Sequence, residues 1–297
     1  MTPTYLLVEP SHYEVSYSIN PWMKPGVWSE HPEQHLAEAR AAFTALKIAL
    51  RDAGGEVRVT DGAPGLPDMV FPANAGIVLD RKALVASFRH PQRQGEEAVF
   101  KSVFERLQAE GVLDQVESLP AGMFQEGAGD CIWDRTRSLA WTGYGPRSSP
   151  EAPAHIARVF DIDIVRLELA TEQFYHLDTC FCVLPHGEVF YYPAAFTKAG
   201  LGLIRDVVPA DRLMEATADD AARFCVNAVA IDRTIVMAQP TARLKQRFAE
   251  RGYMVKEVGL APFILSGGGA YCMTLRLDLA TRGHSAGVDQ DLDPSEA

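Results

Sequence analysis

Residues 180–216 read CFCVLPHGEVFYYPAAFTKAGLGLIRDVVPADRLMEA. Two short apolar runs, CFCVL and EVFYYP, flank a Pro-His-Gly turn at 185–187, which is a hairpin signal. AFTKAGLGLIRDVV then carries apolar residues at helical spacing, and DRLMEA reads as one further strand. The unit is strand, strand, helix, strand.

The same unit recurs along the chain. AGIVLDRKALVASF (75–88) is a hairpin split by a charged turn at 80–82. A helix follows over about 95–110, with Val99, Val103, Phe104 and Leu107 on one face, and VLDQVESL is its strand. CIWDRTRSLAWTG (131–143), EAPAHIARVF and DIVRLEL repeat the order, as do FCVNAVAIDRTIVMA (224–238), TARLKQRFAERG and YMVKEV. A fifth copy is split between the ends of the sequence: CMTLRLDL (272–279) and TYLLVEP (4–10) supply the hairpin strands. HLAEARAAFTALKIALRDAGG supplies the helix, stopped by Gly54 and Gly55, and EVRVTDG the last strand. Copies begin near Ala75, Cys131, Cys180, Phe224 and Cys272, about every 45 to 55 residues. A repeat closed by strands from both ends implies a ring. The expected fold is α/β: a five-bladed α/β propeller of ββαβ repeats with pseudo-fivefold symmetry, one domain over 1–282. Residues 283–297 are polar and acidic and read as a disordered tail.

Composition narrows the function. Of 297 residues, 47% are hydrophobic, and the 39 acids against 28 bases give a formal charge of -11. Such a surface repels nucleic acid and anionic membrane and suits a small cationic molecule. The opening MTPTYLLVEP lacks a basic n-region, so no signal peptide is expected. Five cysteines without a C-x-x-C pair fit reduced thiols in the cytoplasm better than disulfides or structural zinc. No metal or organic cofactor is implied, and self-association is left open.

In a closed ring, equivalent points of the repeat meet at the axis. The segments ahead of the first strands hold LPDMVFPAN with Asp68, FQEGAGD with Glu126, FYHLD with His176 and Asp178, and GGGAYC with Cys272. A thiol with a histidine nearby is a nucleophile with an acid/base partner. Several carboxylates around it oppose thiolate formation unless a cation arrives with the substrate. A guanidinium fits: planar, permanently charged and matched by carboxylates. Cys272 would attack its carbon, and His176 would protonate the departing nitrogen and then activate water against the thiouronium. Gly267, Gly268 and Gly269 would let backbone approach the substrate closely. The plain alternative is a glycine-rich turn beside a buried cysteine.

PDMVFPAN, EGAGD, YHLDT and GGGAYCMT, in this order and repeat phase, resemble the guanidino-group-modifying penteins: arginine deiminases, amidinotransferases and dimethylarginine dimethylaminohydrolases. The resemblance covers residues 5–279 and implies the same five-bladed fold. It implies Cys272 as nucleophile, His176 as general acid/base, and Glu126 as the acid beside them. Asp68 and Asp178 would bind the guanidinium, while Arg89 and Arg147 would hold the amino-acid end of the substrate. Asn74 departs from the dimethylargininase pattern, which has an acid at that point. FPANAG, with YSINPWM around Asn20, looks more like the arginine dihydrolases, which hydrolyse twice to ornithine, ammonia and carbon dioxide. An amide can donate to the carbonyl of a neutral ureido group, where a carboxylate would repel it. Asn20 has a plainer reading as a turn-capping asparagine. Dimethylarginine hydrolysis or deimination to citrulline stay open, as does a catalytically silent binding propeller.

Overall fold

The structure, a computed structural model, describes residues 2–281. The expected tail, 283–297, lies outside the described residues. The strands form five three-stranded sheets of one pattern, in which a central strand pairs antiparallel with one neighbour and parallel with the other.

The sheet of Gly76–Leu79, Lys82–Val85 and Gln115–Ser118 shows why the sequence folds this way. Leu79 faces Lys82 across the hairpin, leaving Asp80 and Arg81 as a two-residue turn at φ 50° and 59°. Two positive φ values match the right-handed twist of the strands they join. The helix Pro91–Ala109 then returns the chain to lay Gln115–Ser118 parallel to Lys82–Val85. It begins ahead of the expected residue 95 because Pro91 presets the first turn.

Three further sheets repeat the order. They are Cys131–Asp134, Leu139–Tyr144 and Asp163–Glu168; Phe181–Val183, Val189–Tyr191 and Leu213–Glu215; and Val229–Ile231, Thr234–Met237 and Met254–Glu257. The fifth joins both ends of the chain. Thr4–Val8 pairs antiparallel with Leu275–Arg276 and parallel with Glu56–Thr60. Its helix, Pro32–Asp52, buries Ala39, Ala42, Phe43, Leu46, Ala49 and Leu50, an i, i+3, i+4 stripe against the core.

Two expectations need correction. The strand expected from Cys272 to Leu279 shrinks to Leu275–Arg276. Met273 N–H bonds to Gly269 O at 3.2 Å and Thr274 N–H to Tyr271 O at 2.9 Å, so this backbone is committed to turns rather than a ladder. Cys272 therefore sits in a turn. Likewise the strand expected from Phe224 starts only at Val229. Ahead of it lies a short helix, Ala218–Ala222, which the sequence reading did not foresee; Thr217 and Asp220 close a capping box on it.

Candidate active site

The turns ahead of the first strands do converge, and hydrogen bonds tie them in series. His176 Nε2 lies 2.8 Å from Glu126 Oε2. Asn74 Nδ2 lies 3.4 Å from His176 Nδ1 and donates to the Glu126 carbonyl at 3.2 Å. With Nδ1 accepting from the amide, the imidazole proton sits on Nε2 and points at Glu126. The Cys272 thiol lies 3.3 Å from Asp178 Oδ2. Tyr175 donates to Gly267 O in the glycine turn at 2.5 Å, and burial first, then the neighbouring acids, push its hydroxyl well above the usual range. Glu126, His176, Asp178, Asp68, Asn74 and Cys272 are all buried.

The electrostatics separate these acids. Burial pushes the Glu126 carboxyl up, but the Arg147 guanidinium and the His176 bond outweigh it and hold the carboxyl well below the usual range. Arg147 Nη1 meets Glu126 Oε2 at 2.9 Å, and the Arg89 backbone N–H meets Oε1 at 3.1 Å. Asp178 has no such cation in contact, and burial raises it to about 7. Burial also raises Asp68, despite Arg93 and the Tyr17 hydroxyl, which donates to Asp68 Oδ2 at 2.9 Å. Burial first, and then Asp178, push the Cys272 thiol well above an ordinary thiol.

Two oxygens stand out. Asp68 Oδ1 and Asp178 Oδ1 are buried and have no hydrogen-bond partner among the described residues. A buried unpaired carboxylate oxygen costs about 1–3 kcal/mol or more, so each is open to an added hydrogen-bond donor. Among the described residues, no three His, Cys, Asp or Glu side chains converge as metal ligands would.

The remaining expected residues have definite places. Arg147 donates Nη2 to Ile19 O at 2.9 Å and stacks over Tyr175, 4.6 Å from the ring centre. Arg89 is half-buried, its Nε on Arg147 O at 3.0 Å and its guanidinium over Phe124. Asn20 Oδ1 caps its turn by accepting from the Trp22 and Met23 N–H groups, while Nδ2 reaches across to donate to Ser266 O beside the glycine turn. Gly267 adopts φ +83°, a region costly for other residues, and a Cβ on Gly268 would meet the Phe71 ring at 2.0 Å. A Cβ on Gly269 would press on Asn227 Oδ1 at 2.8 Å.

Sequence reasoning missed two groups. Arg93, buried, forms a two-bonded pair with Glu96 at 2.9 and 2.8 Å and donates Nη1 to Asn74 Oδ1 at 2.9 Å, which aims the Asn74 amide. An Arg and Glu three apart in the first turns of a helix are the local signal. Asn227 bonds Cys272 directly. Its signal is a lone amide in an apolar run two residues ahead of Val229, as Asn74 stands two ahead of Gly76.

Comparison with known proteins gives the family. Residues 12–279 match the family described as N,N dimethylarginine dimethylhydrolase, eukaryotic. The chain is 38% identical over 92% of its length to the bifunctional arginine dihydrolase/ornithine cyclodeaminase ArgZ of Synechocystis sp., and it spans only 37% of that protein. It is 32% identical to the N(G),N(G)-dimethylarginine dimethylaminohydrolase of Mycobacterium tuberculosis, covering 93% of this chain and 86% of that one. Among solved structures, the N-terminal domain of ArgZ, a cysteine-to-serine variant bound to substrate and described as a cyanobacterial arginine dihydrolase, superposes with a TM-score of 0.87. It shares 37% identity, covering 94% of this chain and 100% of that one. With the buried thiol, the histidine–glutamate pair and the unpaired acids lying within the matched span, the chain belongs to the dimethylarginine dimethylhydrolase family.

Proposed function

We propose that this protein hydrolyses the guanidinium group of arginine through a covalent thiouronium on Cys272, and that it runs two rounds, as an arginine dihydrolase. The observation that carries the reading is the pair of buried, unpartnered oxygens, Asp68 Oδ1 and Asp178 Oδ1, near a protonated thiol. A guanidinium bringing its own charge satisfies both acids and favours the thiolate at the same time.

The steps follow from the groups present. His176 takes up the Cys272 thiol proton, and the thiolate attacks the guanidinium carbon to form a C–S bond. His176, oriented by Glu126, protonates the departing nitrogen, and ammonia leaves. The same histidine takes a proton from water as its oxygen attacks the thiouronium carbon; the C–S bond then breaks to give citrulline and the free thiol. In the second round Asn74 serves the neutral ureido group, and water converts it to ornithine, ammonia and carbon dioxide. Similarity to ArgZ over the whole of its dihydrolase-described domain supports the two-round version. Similarity to the M. tuberculosis enzyme supports dimethylarginine as the second reading.

The reading takes the five sheets as blades of one propeller and residues 1–282 as one catalytic domain. Arg147 and Arg89 line the end where the substrate's amino-acid group lies. A cytoplasmic site of action suits the five free, buried cysteines. No helix among the described residues is long and apolar enough to cross a membrane.

The test is product analysis. The protein is incubated with L-arginine, and citrulline, ornithine and ammonia are quantified by mass spectrometry, with Cys272→Ala as the blank. Ornithine with two ammonias per arginine is expected. Citrulline alone makes it a deiminase. No turnover of arginine, but turnover of dimethylarginine, moves the second reading first, and no turnover of either favours a silent binding role.

A further inference from the structure

Asn227 is fully buried in the turn ahead of Val229–Ile231, in the one unit that the sequence reading left without a reactive group. Three hydrogen bonds fix its side chain. Oδ1 accepts from the Cys272 N–H at 3.1 Å. Nδ2 donates to the Asp178 carbonyl at 3.1 Å and to Cys272 Sγ at 3.0 Å. These partners determine the amide orientation. Turning it over would set an NH2 against the Cys272 N–H and an oxygen against a carbonyl. One N–H of Asn227 therefore has to point at the sulfur.

We infer that Asn227 is a catalytic residue, the donor that stabilises the Cys272 thiolate when it forms. Reactive cysteines usually rely on a neighbouring cation or a helix N-terminus. Among the described residues Cys272 has neither in contact: it faces Asp178, whose charge opposes ionisation, and it is buried. Among the described residues, the Asn227 amide is the one side chain that donates a hydrogen bond to Sγ. A donor to the charged form favours that form. An amide does this without carrying a positive charge of its own, so it leaves Asp178 free for the guanidinium of the substrate. The bonds to the Cys272 N–H and the Asp178 carbonyl would suffice to pin the turns together; the bond to sulfur acts on the chemistry.

This inference rests on the reading of Cys272 as nucleophile, so its test follows the thiol and not turnover. The rate of iodoacetamide alkylation at Cys272 is measured by peptide mass spectrometry from about pH 6 to about pH 10, on the full chain, for the native protein, Asn227→Leu and Asn227→Ala. Asn227→Leu keeps the size of the side chain and removes the donor. Its alkylation is expected to slow by about tenfold at a pH near 8, with the profile displaced to higher pH by about one unit. Asn227→Ala, which leaves room for water, shifts the same way by less. Profiles that coincide with the native one in folded variants overturn the inference. So does failure of both variants to fold by circular dichroism, which would make Asn227 a structural tie. Arginine turnover that survives Cys272→Ala would instead overturn the nucleophile reading and leave the alkylation result standing.

Discussion

Cys272 Sγ and Asp178 Oδ2 lie 3.3 Å apart in a buried hydrogen bond that the thiol donates, and burial, outweighing that bond, raises the acid to about 7. A cation gains most from Asp178 when that acid is ionised. Arginine binding, measured by calorimetry on Cys272→Ala so that no turnover intervenes, is therefore expected to weaken as pH falls, starting above 7 because the variant lacks the thiol bond that lowers the acid, by up to about tenfold per unit. An affinity flat between about pH 8 and about pH 6 would remove Asp178 from the guanidinium site.

The same acids set the acid–base dependence of stability. Asp178 and Asp130 are raised from 3.8 to about 7 and about 6, in both cases chiefly by burial. The native chain keeps protons that the unfolded chain has released, so stability falls as pH rises from about 4 toward about 7. In Asp178→Asn, which has no such proton to lose, urea midpoints across this range should decline less steeply. A slope equal to the native one would show that Asp178 is already ionised in the folded protein.

Glu126 works in the other direction. Its carboxyl is held low, so its contribution is fully present above about pH 4.5 and is lost only in strong acid. Glu126→Gln leaves the buried Arg147 guanidinium without its counter-charge, which costs about 3–5 kcal/mol. Urea denaturation near neutral pH should show that loss together with a fall in arginine turnover. A variant as stable as the native protein would mean that Arg147 finds another partner.

Asn74→Asp sets an oxygen against two acceptors, the Glu126 carbonyl and His176 Nδ1. Arg93, donating to Asn74 Oδ1, would hold the new carboxylate in the same place. Citrulline should then accumulate at the expense of ornithine. An unchanged ratio of the two products would deny Asn74 its part in the second round.

Gly268→Ala drives a methyl into the Phe71 ring, where the separation would be 2.0 Å. Overpacking of this kind costs about 1–3 kcal/mol. Because Cys272 lies four residues further along the same turn, turnover should fall more than the drop in Tm alone explains. Full activity with a lowered Tm would assign the glycine to packing only.

The order strand, strand, helix, strand was legible because its signals are local. Charged two-residue turns such as Asp80–Arg81 and helical stripes such as Ala42, Leu46 and Ala49 need no long-range knowledge. The meeting of the turns that carry Asn74, Glu126, His176 and Cys272 was legible because the repeat phase brings them together. Arg93 and Asn227 were not, because each acts through one particular partner, Asn74 or Cys272, and a lone polar residue in a helix or an apolar run names no partner. The overlong strand at 272–279 failed for a related reason: alternation predicts a ladder, while the glycines next to it commit the same backbone to turns.

The sheet that joins the two ends also sets an order in time. Thr4 N–H bonds to Asp278 Oδ1 and Leu277 N–H to Thr4 O, pairs more than 270 residues apart. During synthesis, Thr4–Val8 is made well before Leu275–Arg276, and its antiparallel edge is covered only once that later strand arrives. Cys272 emerges only a few residues ahead of that closing strand. Glu126, His176 and Asp178 are thus in the chain long before Cys272, and the candidate site is complete only when this sheet is within reach of closing.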